Sequence, residues 1–193
     1  IVCDMSSDIF SRPLPVNRFG IIYAGAQKNL GPAGVTLVIL NPDLLGTVRD
    51  RMPTMLDYRT HIERDSMFNT PPVFPIYVSM LNLRWIKAHG GLSAMQDRAQ
   101  QRADLVYNEI DRNPLFHGPV KKEDRSLMNA VFIAKDPERH NEPFLKACEE
   151  AGINGIKGHR SVGGFRASMY NAMEQESAER LVEVMQAFAE KHG

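Results

Sequence analysis

Two continuous apolar runs on either side of a lysine-bearing turn restrict this chain more than any other feature. Residues 19–24 (FGIIYA) and 35–40 (VTLVIL) are rich in β-branched residues, as strands buried on both faces are. Gly25, Gly31 and Pro32 punctuate the segment between them, so Lys28 falls on a loop joining two strands. A third run, Ile1, Val2 and Cys3, reads as a buried strand that ends in Asp4. These runs predict an α/β fold built on a mostly parallel sheet. Groups at the carboxyl ends of parallel strands are the ones such a sheet presents to a ligand.

At 193 residues the chain is long enough for one large domain or two small ones, each with a real core. Its 23 acidic and 23 basic residues balance, which speaks against a nucleic-acid partner. No apolar run approaches the roughly 20 residues of a membrane span, and no signal peptide is recognisable. Cys3 and Cys148 stand far apart and lack metal-ligand spacing. They read as buried free thiols of a reducing compartment, so a cytoplasmic protein without a metal site is expected. The chain has no initiator methionine and opens on a strand, and we read it as the later part of a longer protein.

Beyond the strands, residues 51–70 read as polar and irregular. Pro71 and Pro72 then lead into a helix with Phe74, Val78, Leu81 and Trp85 on one face, stopped by Gly90 and Gly91. A second helix begins at Ser93, with Gln96 completing a capping box, and carries a stripe of Met95, Ala99, Arg102, Val106 and Ile110. After Asn113 and Pro114 the pattern reads strand, helix, strand, strand, helix. Residues 128–134 and 167–170 are the clearest strands, and Phe144, Leu145 and Cys148 mark a short helix ended by Gly152. The last helix is expected to start from Asn171 as cap and to bury Ala178, Leu181, Val182, Met185 and Phe188. This divides the chain into part of a large α/β domain over 1–92, a linking helix over 93–112 and a small α+β domain over 113–193.

Three clusters carry chemistry. A lysine in a turn is ordinarily a solvated surface group, but small residues surround Lys28 on both sides and admit a planar ligand close to the backbone. Asp4 serves equally well as a turn former or as a functional group at a sheet edge. Taken together, an amine able to form a Schiff base and a carboxylate able to hold a pyridinium proton are the two groups that pyridoxal phosphate chemistry needs most. Residues 158–166 (GHRSVGGFR) gather His159, Arg160 and Arg166 around glycines. That loop is either a solvated basic segment or an anion site in which arginine forks grip carboxylate or phosphate. The clusters point to an aminotransferase acting on an acidic or phosphorylated substrate.

The segments IVCDMSSDIFSRP, YAGAQKNLGPAG, SMFNTPP and KGHRSVGGFRASMYNA resemble the phosphoserine aminotransferases, pyridoxal phosphate enzymes of fold type I. The resemblance runs from Ile1 to Gly193, and family members are about twice this length. It implies Lys28 as the cofactor-bearing lysine, Asp4 as partner of the pyridine nitrogen and Gln27 as a further cofactor contact. It implies Asn69 and Thr70 at the cofactor phosphate of a neighbouring subunit, hence a homodimer with shared sites. Arg166 is implied as the grip on the substrate α-carboxylate, and His159 and Arg160 as the phosphate pair, also across the interface. The reaction implied is reversible amino transfer between O-phospho-L-serine with 2-oxoglutarate and 3-phosphooxypyruvate with L-glutamate. It would serve serine and, in some members, pyridoxine biosynthesis. Residues 1–193 alone are expected to be inactive or nearly so. Another fold-type-I enzyme (a serine–pyruvate aminotransferase or a cysteine desulfurase) and a non-catalytic anion-binding remnant are the competing readings.

Overall fold

The computed structural model describes residues 1–46 and 52–193. They form two units, Ile1–Leu92 and Ser93–Gly193, each with its own apolar core.

In the first unit, strands β1 (Val2–Asp4), β2 (Ile21–Gly25) and β3 (Thr36–Leu40) form one sheet in that order. β1 runs parallel to β2, with Val2 opposite Ile21 and Asp4 opposite Tyr23. β3 returns antiparallel, with Tyr23 opposite Val38 and Gly25 opposite Thr36. The described sheet is therefore small and mixed rather than mostly parallel. Residues 26–35 hold only turns, too few for the crossover of about a dozen or more residues that a parallel return needs. Met5, Ile9, Ile22, Ala24, Ala26 and Leu30 make the core beneath it. Ile1 and Val2 are exposed, and β1 is the outer strand of the described sheet, where the sequence pattern predicts a buried strand.

Helix α1 (Tyr58–Ile62) interrupts the stretch expected to be irregular, and its N-cap Asp57 accepts from the Arg59 backbone N–H. Arg51, the first residue of that stretch, lies outside the described residues. Helix α2 (Val73–Ala88) follows the two prolines as expected, but Phe74 and Leu81 are exposed while Ser79 and Ile86 are buried. Apolar residues surround α2 on nearly every side, so their spacing does not select the face that packs.

Helix α3 (Gly91–Arg112) starts at Gly91 rather than Ser93. Its stripe of Met95, Ala99, Arg102, Val106 and Ile110 is buried. Arg102 is tolerated there because its Nη1 donates to the Met173 carbonyl at 2.8 Å. The second unit then adds an antiparallel sheet, in order β4 (Phe116–His117), β5 (Asn129–Ala134) and β6 (Phe165–Ser168), with helices α4 (Pro137–Glu150) and α5 (Gln175–His192). The sequence of elements after α3 is strand, strand, helix, strand, helix, a correction to the expected order. β6 begins at Phe165 rather than Ala167 because Phe165 pairs with Phe132 and Ala167 with Ala130, putting alternate residues into the core. The N-cap position of α5 is Glu174, with no side-chain capping bond, and not Asn171, which sits in the turn closed by Met173 N–H to the Tyr170 carbonyl.

The rings of Phe116, Phe132, Phe144, Phe165 and Phe188 meet at centroid distances of 4.7 to 6.2 Å and form the centre of this unit. Phe132→Ala should destabilise it by about 3–5 kcal/mol, read from denaturant unfolding. Near the end of α3, the Arg125 fork donates to both Asp111 oxygens at 3.0 and 2.6 Å, and Lys122 lies 2.9 Å from the same carboxylate. These partners, Arg125 first, hold the Asp111 carboxyl down at about 2. A depressed carboxyl contributes stability that is present above its unfolded value, about 4, and is lost as pH falls through about 2. Asp111→Asn should flatten the fall in stability between those two pH values.

Candidate functional site

Parallel pairing puts the carboxyl ends of β1 and β2 at the same sheet edge, and that edge collects the first group of residues. Asp4 closes β1 directly opposite Tyr23, and β2 ends at Gly25, just before the loop bearing Gln27 and Lys28. The Met5 backbone N–H donates to the Tyr23 carbonyl at 2.8 Å, which fixes how the chain leaves β1. Ser6 then folds back on Asp4: its hydroxyl donates to Oδ1 at 2.6 Å and its backbone N–H to the same oxygen at 2.9 Å. These two bonds are the main reason the Asp4 carboxyl sits below the ordinary carboxylate range, with smaller contributions from the nearby Lys28 ammonium and from Tyr23. The structure thus brings Asp4 and Lys28 into electrostatic range, which sequence spacing could not establish. Asp4 is an exposed, firmly ionised carboxylate and Lys28 an exposed amine.

The Lys28 loop is tightly built. Ala26 N–H donates to the Val35 carbonyl at 2.9 Å and Gly31 N–H to the Ala26 carbonyl at 2.7 Å. The Gln27 amide lies back over Gly25: a methyl group there would come within 2.7 Å of Gln27 Oε1, so only glycine leaves the amide in place. Asn69 and Thr70 are exposed on the approach to α2. Asn69 lines an apolar groove of about 710 Å³ with Tyr58, His61, Pro72 and Ile76, and neither Asp4 nor Lys28 is part of that lining.

In the second unit, residues 157–165 form a hairpin closed by the Lys157 and Phe165 bridge and by Gly158 N–H to the Gly164 carbonyl at 2.8 Å. A side chain at Gly158 would collide with the Gly163 and Gly164 backbone. Gly163 and Gly164 themselves have φ of 75° and 61°, in the region that favours glycine. His159 and Arg160 stand exposed at the hairpin tip, where His159 Nδ1 meets the Ser161 hydroxyl at 2.8 Å and the Ser161 backbone N–H at 3.3 Å. Arg166 is not on this loop but on β6, opposite Val131, and its Nε is buried without a hydrogen-bond partner among the described residues. A buried guanidinium donor left unmatched is suited to an anion, as is the exposed imidazole and guanidinium pair at the hairpin tip.

Sequence reasoning missed Ser6, whose place two residues after an aspartate is the signal of a side-chain-to-backbone turn, and Tyr23, which only the strand register reveals. Of the two thiols, Cys148 is buried and its pKa is pushed up to about 11 by that burial, whereas Cys3 is half-buried, a correction to the buried reading. Among the described residues, no three His, Cys, Asp or Glu side chains gather as metal ligands would, and no helix is long and apolar enough to cross a membrane.

Comparison with known proteins fits this layout. The phosphoserine aminotransferase of Parabacteroides distasonis is 56% identical over 193 residues, covering 100% of this chain and 54% of that protein. A solved phosphoserine aminotransferase from Bacillus circulans subsp. alkalophilus superposes with a TM-score of 0.94 at 48% identity, covering 100% of this chain and 53% of that one. A PLP-bound phosphoserine aminotransferase from Trichomonas vaginalis gives 0.90 at 40% identity, over 96% of this chain and 53% of that one. The chain thus spans about half the length of the relatives it matches. The family model described as aminotransferase class-V matches residues 1–181, and the chain belongs to the class-V aminotransferase family.

Proposed function

We propose that this chain is part of a phosphoserine aminotransferase that exchanges an amino group between O-phospho-L-serine with 2-oxoglutarate and 3-phosphooxypyruvate with L-glutamate. The observation that carries the reading is the exposed Lys28 amine within electrostatic range of an Asp4 carboxylate that Ser6 keeps ionised. The relatives named phosphoserine aminotransferase, and the one described as PLP-bound, supply the substrate class and the cofactor.

The donor set fits pyridoxal phosphate: a primary amine for the aldehyde, an ionised carboxylate for the pyridinium N–H, and a loop open to a flat ring. When bound, the cofactor supplies a protonated, conjugated ring that accepts negative charge from the substrate Cα. Asp4 would keep that ring nitrogen charged. Gln27 would contact the cofactor from the turn before Lys28. Lys28 Nζ would take the proton from the substrate Cα and return it as general base and acid. Arg166 would fix the α-carboxylate with its fork, while His159 and Arg160 would hold the phosphate of phosphoserine or the side-chain carboxylate of glutamate.

Asn69, Thr70, His159 and Arg160 are all exposed, as groups serving a neighbouring subunit must be, and we assign them to a homodimer with shared sites. On this reading Ile1–Leu92 belongs to the large cofactor domain with its mostly parallel sheet, the helix over 93–112 links the parts, and residues 113–193 are the small domain. Two free thiols fit a cytoplasmic enzyme. They do not fit a desulfurase: Cys148 is buried, with its thiol well above neutral pH, and cannot act as a mobile nucleophile.

An absorbance titration of the complete protein with pyridoxal phosphate tests the reading. A visible band that shifts on adding O-phospho-L-serine but not L-serine is expected. A band that responds to L-serine alone would keep the fold and overturn the substrate. In steady-state assays Arg160→Ala should raise the KM for phosphoserine about tenfold to a hundredfold, as expected for the loss of one charged hydrogen-bond pair, and leave turnover of L-alanine, which has no side-chain anion, little changed.

A further inference from the structure

The loop that carries Lys28 is held from outside by a residue of α2. The Asn82 side-chain Nδ2 donates to the Leu30 carbonyl at 2.7 Å and to the Asn29 carbonyl at 3.2 Å, two residues and one residue past Lys28. The same loop is tied on its other side, where Asn29 Nδ2 donates to the Ile9 carbonyl at 2.6 Å from a buried position. Between these ties Gly31 packs against Ser79, one turn of α2 before Asn82, so closely that any side chain at Gly31 would collide with the serine Oγ. Ser79 Oγ is buried there with no hydrogen-bond partner among the described residues. Small residues at both contact points let α2 approach near enough for the Asn82 amide to reach two backbone carbonyls.

We propose that Asn82 is a positioning residue for Lys28: it pins the backbone that carries the amine to α2, and so fixes where Nζ stands relative to Asp4. The proposal rests on reading Lys28 as the cofactor lysine. It follows from geometry that the amide must donate rather than accept, because both of its partners are carbonyl oxygens. A carboxylate in its place would face two acceptors with no proton to share, which sets Asn82→Asp apart from Asn82→Leu although all three side chains have nearly the same shape.

The test uses both variants in the complete protein, with two readings. In cofactor-free protein, amide hydrogen exchange at Gly31, whose N–H bonds to the Ala26 carbonyl, should speed up about tenfold in Asn82→Leu and more in Asn82→Asp. Exchange at Ile22 and Ala24 in β2 should stay as it was. In the loaded enzyme kcat should fall about three- to tenfold in Asn82→Leu and further in Asn82→Asp, with the KM for phosphoserine unchanged, since Asn82 holds the lysine and not the substrate. Unchanged exchange at Gly31 in both variants would overturn the proposal. So would equal acceleration throughout β2, which would mark a general loss of packing, or faster loop exchange with an unaltered kcat. Because exchange is read without cofactor, it judges the clamp even where the spectral titration fails and Lys28 proves not to be the cofactor lysine.

Discussion

The in-register parallel pairing of β1 with β2 is the constraint on which the first unit depends. Asp4 lies opposite Tyr23, so the carboxylate leaves the sheet at the edge from which the Lys28 loop also departs. A slip by one residue would turn Asp4 to the other face of the sheet and bury what is now exposed. Cys3, packed against the core between exposed Val2 and Asp4, makes such a slip unfavourable. Ser6 completes the arrangement through two hydrogen bonds to one oxygen, which favour the ionised form of Asp4 without burying it. A carboxylate kept charged in contact with solvent, next to an amine, is inexpensive to maintain and ready to meet a cationic ring.

The second unit solves a different problem. Its antiparallel sheet, covered by α3, α4 and α5, buries five phenylalanine rings and leaves a short glycine-rich hairpin outside the core. His159 and Arg160 stand exposed at the tip of that hairpin, while Arg166 stands on a strand and has a buried Nε. That contrast matches the proposed roles. A group that orients the reacting carbon must be rigid, and groups that hold a distal phosphate can come from a loop.

Much of this was legible in the chain itself. The β-branched runs at 19–24 and 35–40 became β2 and β3, and the stripe from Met95 to Ile110 is the buried face of α3. Periodicity failed where hydrophobicity is not one-sided. On α2, Phe74 and Leu81 are exposed and Ser79 is buried, because the contact is set by the close approach at Gly31 and not by apolar spacing. Boundary errors had local causes. Gly163 and Gly164 make Arg166 read as loop, yet the chain enters β6 directly after them at Phe165. Residue type singles out Asp4 and Lys28, but their proximity needs the strand register, and Asn82 needs the packing of α2 on the loop.

The central proposal is that Lys28, within electrostatic range of Asp4, is the residue that takes the cofactor. Borohydride reduction of the complete protein loaded with pyridoxal phosphate, followed by peptide mapping, tests it most directly. The account predicts one stable pyridoxyl adduct, on the peptide containing Lys28 and lost in Lys28→Ala. An adduct confined to a different lysine, or one that persists unchanged in Lys28→Ala, would contradict it.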